Sequence, residues 1–382
     1  MDGLRKKMKY LQKKPIIWIF GNKKKYKNIN LQNAKSILIK PTGDALGDTL
    51  MALSYARQLK EIYDNIKIGM TVTDRNSELV KIAYENENII DEITGRNKKA
   101  ALRNRGKWDI LLDFTNKINT NRLMWTKFLK PKIVIIFGKK DEKHYFNKKN
   151  IKNYDFHCVP PIEVHTIDYL LYSEFVKYFK IERQKPYLKL PKNEIEAIKR
   201  AWKMEKNDKR IKILLSPQGL DREIPVGEIA IFLNKLDKNI SKKIKIVMGN
   251  TAGSEKYFNE LNLLLDKNLN LDIILCEKLS VREYLAFVAS SELVIGVDGG
   301  SCHIACAFKR PLLSFYANNT YNLYKWSPVP YEDVDTFKVV SNENRKNIMS
   351  KDTYNFPLKE AVLWLQNQIE NLYNKKILWY RY

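Results

Sequence analysis

Residues 292–319 read ELVIGVDGGSCHIACAFKRPLLSFYANN, and one turn of this stretch gathers Asp298, Gly299, Gly300, Ser301 and His303, the last being one of only 4 histidines. LVIGV is a strand by its β-branched run, and a small-residue helix over 301–308 opens directly behind the glycines. Paired glycines let backbone N–H groups come close to a ligand, and a helix N-terminus carries partial positive charge, so phosphate or pyrophosphate is the natural guest. His303, in the first helical turn, adds a donor to the same oxygens. The plainer reading is that Asp298 only caps the helix and the glycines only turn the chain. Taken alone, this turn leaves both readings open.

A second turn, KPTGDALGDTL, also joins a strand to a helix and is rich in Gly and Asp. Asp48 stands there as a candidate general base, with Asp44 the less favoured substitute. A helix N-terminus lowers a carboxylate's pKa and weakens it as a base, so desolvation has to act in the opposite direction. Otherwise Asp48 is a first-turn carboxylate stabilised by the helix dipole. A third turn, SPQGLDREIP, places Gln218, Gly219 and Arg222 just past the strand IKILLS. Arg222 is either a phosphate partner or a solvated loop arginine. Gly249 closes KIKIVMG, whose turn belongs to the same strand ends. CHIAC sets Cys302, His303 and Cys306 within about a helical turn, but no second ligand pair accompanies it, so zinc is not expected. Asp333 and Asp335 in EDVDTF form an Asp-x-Asp pair, read as an acidic loop past the last strand rather than as a metal site.

These turns need strands to hold them. SILIK (36–40), IKIGMTV (66–72), WDILLDF (from 108) and KIVIIF (132–137) are short β-branched runs separated by helix-length stretches, the signature of βαβ units and a buried parallel sheet. In DTLMALSYARQLKEIY, Leu50, Leu53, Ala56, Leu59 and Ile62 recur on one face, as a helix covering a sheet requires. After a basic, irregular stretch with Pro186 and Pro191, the pattern restarts with IKILLS (211–216), KIKIVMG (243–249), LDIILC (271–276), LVIGV (293–297) and PLLSFY (311–316). Between the last two of these lies the opening turn, preceded by a helix whose Ser280 and Glu283 have capping-box spacing. The expected fold is α/β, with two Rossmann-like domains facing across a cleft lined by the carboxyl ends of the strands. The expected divisions are a basic lead (1–35), an N-terminal domain (36–190), a C-terminal domain (205–350), and a closing helix and tail (351–382).

A chain of 382 residues is long enough for two cores. Its 68 Lys+Arg against 43 Asp+Glu leave a net charge of +25, which attracts polyanions: nucleic acid, anionic lipid or phosphorylated glycans. Abundant Lys, Asn, Ile and Tyr also fit an AT-rich genome. The basic block GNKKKYK has no interleaved stacking aromatics of a recognised RNA-binding motif, so nucleic acid is not the expected partner. The four cysteines show no paired spacing, which suits a reducing compartment. In the basic lead the apolar run IIWIF is too short for a signal core or a membrane span, so a cytoplasmic protein is expected, with the lead touching an anionic membrane surface.

Three stretches, ILIKPTGDALGDTLMALSYA, LSPQGLDREIPVGE and ELVIGVDGGSCHIACAFKRP, resemble in order the motifs of the family 9 glycosyltransferases, the lipopolysaccharide heptosyltransferases. The resemblance covers about residues 36–320. It implies a GT-B architecture, with an acceptor-binding N-terminal domain and a nucleotide-sugar-binding C-terminal domain, and inverting transfer without a catalytic metal or other cofactor. By motif, Asp48 matches the family's base, and Asp298, Gly299, Gly300, Ser301 and His303 its donor-phosphate loop. Arg222 stands where the family usually has Lys, Glu255 matches an acidic residue on the ribose hydroxyls, and Leu279 lies near the nucleobase. Gln218 and Gly249 complete the donor set. Ser54, Gly300 and Ile224 replace the family's usual Pro, Thr and Trp. The implied donor is ADP-heptose and the implied acceptor an anionic lipopolysaccharide core, at the inner face of a Gram-negative inner membrane. Transfer of a hexose or N-acetylhexosamine, a sugar-nucleotide epimerase and a non-catalytic binder are the alternatives.

Overall fold

The computed structural model describes residues 2–25, 30–138, 146, 149–205 and 207–379. The last two residues of the block GNKKKYK, 26 and 27, lie outside them. By internal contacts the chain divides into two units, Met1–Gln184 and Lys185–Tyr382.

The first unit holds strands β1 (Ser36–Lys40), β2 (Lys67–Val72), β3 (Glu92–Gly95), β4 (Ile110–Asp113), β5 (Ile133–Phe137) and β6 (Phe156–Cys158). Its helices are α1 (Asp2–Phe20), α2 (Leu46–Ile62), α3 (Ser77–Glu87), α4 (Lys98–Arg103) and α5 (Thr120–Leu129). The strands pair in parallel in the order β3-β2-β1-β4-β5-β6. Residues of β1, β4 and β5 are buried throughout, as a sheet covered on both faces demands. Tyr55, Phe114 and Phe137 stack at centroid distances of 4.1 and 4.2 Å, binding α2 to the strand ends.

Helix α2 departs from the one-faced expectation. Leu50, Leu53, Ala56 and Leu59 are buried as predicted, but so are Met51, Ser54, Tyr55 and Gln58 on the other side. The chain at 166–184 comes back over that side, where Tyr55 donates to the Thr166 carbonyl and Gln58 Nε2 to Glu182 O at 3.2 Å. A helix enclosed from both sides loses its solvent face. The lead forms α1, with Tyr10, Ile17 and Phe20 packed on a cluster of Ile118, Leu123, Phe146 and Ile151. Among the described residues no helix is long and apolar enough to cross a membrane.

The second unit holds β7 (Ile211–Ser216), β8 (Ile244–Met248), β9 (Ile273–Leu275), β10 (Leu293–Val297), β11 (Leu312–Tyr316) and β12 (Thr336–Val340). Its helices are α6 (Lys192–Ala197), α7 (Val226–Asn234), α8 (Lys238–Ser241), α9 (Ser254–Leu264), α10 (Val281–Ser290), α11 (Gly300–Ala307), α12 (Thr320–Lys325) and α13 (Leu358–Trp379). The order β12-β11-β10-β7-β8-β9, again all parallel, repeats that of the first sheet. Asp333 and Asp335 therefore do not lie past the last strand: they precede β12, and the Asp335 carbonyl accepts from Leu312 N at 3.2 Å. The irregular stretch before β7 is itself packed. Trp202 is fully buried against Phe287, with ring centroids 4.6 Å apart, and Glu194 pairs with Arg282 at 2.7 Å.

In both sheets the strand order reverses once, between β1 and β4 and between β7 and β10. Turns leaving these neighbours run to opposite faces, which opens a crevice at their carboxyl ends. Close packing reaches down to single methyl groups in the first sheet. A Cβ on Gly69 of β2 would lie 2.6 Å from Cζ2 of the fully buried Trp108. Gly69→Ala is expected to destabilise the first unit by about 1–3 kcal/mol, seen as a lowered urea midpoint of its transition; an unchanged midpoint would show the ring free to move aside.

Candidate active site

In the second unit the turns after β7 and β10 meet because their strands pair, with Gly296 opposite Ser216. Ser301, in the first turn of α11, shares one hydrogen bond with Ser216 Oγ at 2.6 Å and another with the Tyr284 hydroxyl at 2.8 Å. These bonds tie α11 to β7 and to α10, which begins with the Ser280–Glu283 capping box. Gly299 precedes α11 in extended backbone, and the first N–H groups of the helix have no intrahelical partner. An anion seated there meets aligned donors and the positive end of a dipole.

Arg222 reaches this turn from the β7 side. Its Nη1 donates to the Asp298 carbonyl at 3.2 Å and its Nε to the Ser350 carbonyl at 3.1 Å, with Nε also 3.4 Å from Asp298 Oδ2. Asn322 Nδ2 donates to the same carboxylate. Asp298 is 2% exposed, and burial raises its carboxyl to about 6 despite the guanidinium and the amide, both of which pull it down. Desolvation wins because the arginine contact is single and long. His303 is buried too, with its ring edge-on to Trp326; burial and then Arg222 lower it to about 4. It is a neutral imidazole at pH 7, and its Nδ1 has no hydrogen-bond partner among the described residues.

Beside this turn, Glu255 at the start of α9 and Leu279 before α10 line one cavity of about 600 Å³ together with Asn250, Thr251, Lys256 and Lys278. Gln218 links the cavity to the anion turn: its Oε1 accepts from Ser254 Oγ at 3.0 Å and its Nε2 donates to Glu223 at 3.1 Å. Carboxylate, apolar and cationic side chains in one recess suit a nucleotide, with hydroxyls, a base and phosphate to meet each.

In the first unit, Asp48 is half-buried in the first turn of α2. A Cβ on Gly43 would overlap its carboxylate, so a side chain at residue 43 would push the Asp48 carboxylate from this position. Arg96, just past β3, braces that turn by donating to the Gly43 carbonyl at 2.9 Å and to Thr71 Oγ1 at 3.1 Å. Its guanidinium feels Asp44, Asp113 and Asp48. Asp44 faces Thr73 and Arg75 instead, at 3.3 and 3.8 Å. At the same sheet edge Lys40 is buried over the Trp125 ring at 4.9 Å, and desolvation lowers it to about 8.

Residues 101–356 match the family model of glycosyltransferase family 9 (heptosyltransferase). The chain belongs to that family. It is a glycosyltransferase with the α/β fold of the GT-B class. Among solved structures it is similar to the ADP-heptose lipopolysaccharide heptosyltransferase II of E. coli, with 14% identity, 89% of this chain and 99% of that one covered, and a TM-score of 0.66. A family 9 glycosyltransferase of Veillonella parvula gives 13% identity, 89% and 98% coverage and a TM-score of 0.67. E. coli heptosyltransferase WaaC with ADP gives 12%, 87% and 99%, and 0.57. Identities this low speak for the fold alone. No curated protein matches.

Of the residues singled out in this glycosyltransferase, Arg222, Asp298, Gly299, Gly300, Ser301 and His303 share the anion turn. Glu255 and Leu279 share the recess, Gln218 joins the two, and Gly249 N bonds the Leu215 carbonyl at 2.9 Å behind them. Asp48 belongs to the first unit. Reading the sequence overlooked the hydroxyls of Ser216 and Tyr284, the Asn322 amide, Lys278, Lys40 and Arg96. Arg96 had a usable signal, a cation directly after a strand end, but EITG is too short and polar to stand out as a strand.

The buried pair gives opposing pH signatures. Between pH 4 and 6 the unfolded chain ionises Asp298 ahead of the folded one, so this carboxyl removes stability as pH rises. Across nearly the same window the unfolded chain keeps a proton on His303 that the folded one refuses, so the imidazole adds stability as pH rises. Each effect is worth about 3 kcal/mol. Relative to wild type, His303→Gln should lose stability from pH 4 to 6 and Asp298→Asn should gain it, as measured by denaturant melts; parallel curves for all three would refute the assignment.

Proposed function

We propose that the chain moves a sugar, heptose first among the choices, from a nucleoside-diphosphate donor such as ADP-heptose to a hydroxyl of an anionic lipopolysaccharide or lipooligosaccharide core. The observation that carries this reading is the anion turn itself, with Arg222 held by Asp298 beside the first N–H groups of α11, next to a recess lined by Glu255 and Leu279. The diphosphate takes the turn and the nucleoside takes the recess.

In this reading Asp48 accepts the acceptor's proton as the oxygen attacks the anomeric carbon. The carbon's bond to the diphosphate breaks on the opposite face, which inverts the centre. The electron pair leaves with the diphosphate, and its charge is met by the α11 N–H groups and Arg222, preorganised donors that need no rearrangement. Neutral His303 contributes at most a hydrogen bond. No metal or other cofactor enters the proposed step. The heptosyltransferase WaaC structures carry ADP and ADP-2-deoxy-2-fluoro heptose, which supports an adenosine diphosphate sugar as the first donor to try. The net charge of +25 suits a phosphorylated acceptor at the inner, cytoplasmic face of a Gram-negative inner membrane, with the protein attached peripherally.

Asp48→Asn is expected to lower kcat by about a thousandfold while leaving the donor's thermal shift intact. Retained turnover would remove Asp48 from the role of base. Transfer should persist in EDTA, and a complete loss restored by Mg²⁺ would overturn the metal-free step. Conversion of the donor with no acceptor present would point to an epimerase.

A further inference from the structure

The first unit has a recess of its own, away from the turns that carry Asp48 and Arg96. Those turns leave the carboxyl ends of β1 and β3. This cavity, of about 260 Å³, lies at the amino ends of the strands: Arg105 precedes β4, Lys130 and Pro131 precede β5, and Asn153 precedes β6. Its remaining wall comes from the end of α1 and from α5.

The lining is built for an anion. Lys24, Lys127, Lys130 and Arg105 ring the opening, all exposed. Lys127 Nζ gives one hydrogen bond to Asn22 O at 3.2 Å, which leaves two ammonium donors. Lys23 is already engaged, with Asp155 at 2.5 Å and the Lys132 carbonyl at 2.8 Å, and so anchors the segment rather than serving a ligand. Deeper in the wall, Thr126 and Asn153 are 4% and 2% exposed, yet Thr126 Oγ1 and Asn153 Nδ2 have no hydrogen-bond partner among the described residues. The Asn153 carbonyl oxygen is held by Arg122 Nη1 at 3.4 Å, so its amide nitrogen is the end left over. A buried, unmade hydrogen bond is costly, and a ligand oxygen entering between these two groups would satisfy both. Phe20, Pro131 and Val134 supply an apolar side to the same recess.

Helix α1 ends at this cavity and has a second apolar surface. Met8, Leu11, Trp18 and Ile19 are 56, 55, 78 and 46% exposed. At 100° per residue they fall in an arc of about 100°, opposite the side that packs through Tyr10, Ile17 and Phe20. Apolar residues around a tryptophan, on a helix with Lys7 and Lys14 also exposed, have the chemistry of an interfacial helix.

We infer that this recess binds the phosphate of an anionic membrane lipid, with Lys24, Lys127, Lys130 and Arg105 meeting its charge, Thr126 and Asn153 its oxygens, and the exposed stripe of α1 lying in the adjoining acyl layer. The donor chemistry plays no part in it. Only the source of the phosphate rests on the peripheral attachment proposed above, and the two are tested apart.

The full chain is sedimented with vesicles of phosphatidylcholine alone and of phosphatidylcholine with phosphatidylglycerol, and donor thermal shift serves as the check of folding. Phosphatidylglycerol should raise the partition at least about tenfold, and Lys24→Glu with Lys130→Glu should cut it by roughly a hundredfold. Thr126→Val with Asn153→Leu, which leaves every surface charge in place, should cut it about tenfold, and Trp18→Ala should weaken it further. Equal partition to both vesicles, or wild-type partition of the Thr126/Asn153 variant, would overturn the site. Inorganic phosphate that protects wild type but not that variant from thermal unfolding, with no vesicle binding, would overturn the lipid as its source.

Discussion

The side-by-side pairing of β7 and β10 is the constraint on which the second unit's chemistry depends. Strands far apart in sequence become neighbours there, and the connections that leave them must cover opposite faces of the sheet. Their first few residues are therefore left facing each other at the strand ends. Arg222 arrives from one connection and the start of α11 from the other, and the hydroxyls of Ser216, Ser301 and Tyr284 hold the two in register. The reversal between β1 and β4 does the same for the turn that carries Asp48, at whose edge Lys40 and Asp113 stand on adjacent strands.

Within that frame the electrostatics are settled by burial more than by pairing. Asp298 has a cation and an amide beside it and still rises to about 6, because water is excluded from the carboxylate. Its value to the site is positional: carbonyl and carboxylate together fix where the Arg222 guanidinium sits. A lysine, with its three donors on a swivelling ammonium, would not be held in the same way. His303 shows the same effect on a base. Its ring is buried beside Trp326, and burial lowers it to about 4, which leaves a neutral imidazole.

Much of this was legible from residue types. SILIK, KIVIIF, IKILLS and LVIGV are strands because runs of branched apolar side chains suit a sheet buried on both faces. The glycine and aspartate turns behind them were visible for the same reason. EITG, FHC and TFKVV were not, being short, polar edge-ward strands whose pairing is supplied by their neighbours rather than by their own composition. Missing TFKVV misplaced Asp333 and Asp335. The one-sided reading of α2 failed because periodicity records the face a helix turns to the sheet and is blind to a later segment, here 166–184, that returns over its back. Hydroxyl partners such as Ser216 and Tyr284 carry no spacing signal at all, since only the folded register brings them to Ser301.

The burial that raises the Asp298 carboxyl to about 6 has a bearing on the catalytic cycle proposed for this enzyme. A proton taken up there cancels the negative partner of Arg222 without disturbing the backbone contact that aims it. In mildly acidic surroundings the guanidinium would then be uncompensated, and under the proposed function a spent diphosphate would be held more firmly than at neutrality. Acid would thus slow departure of the by-product before it impaired capture of the donor, so the step that limits turnover would change with acidity while the protein stayed folded.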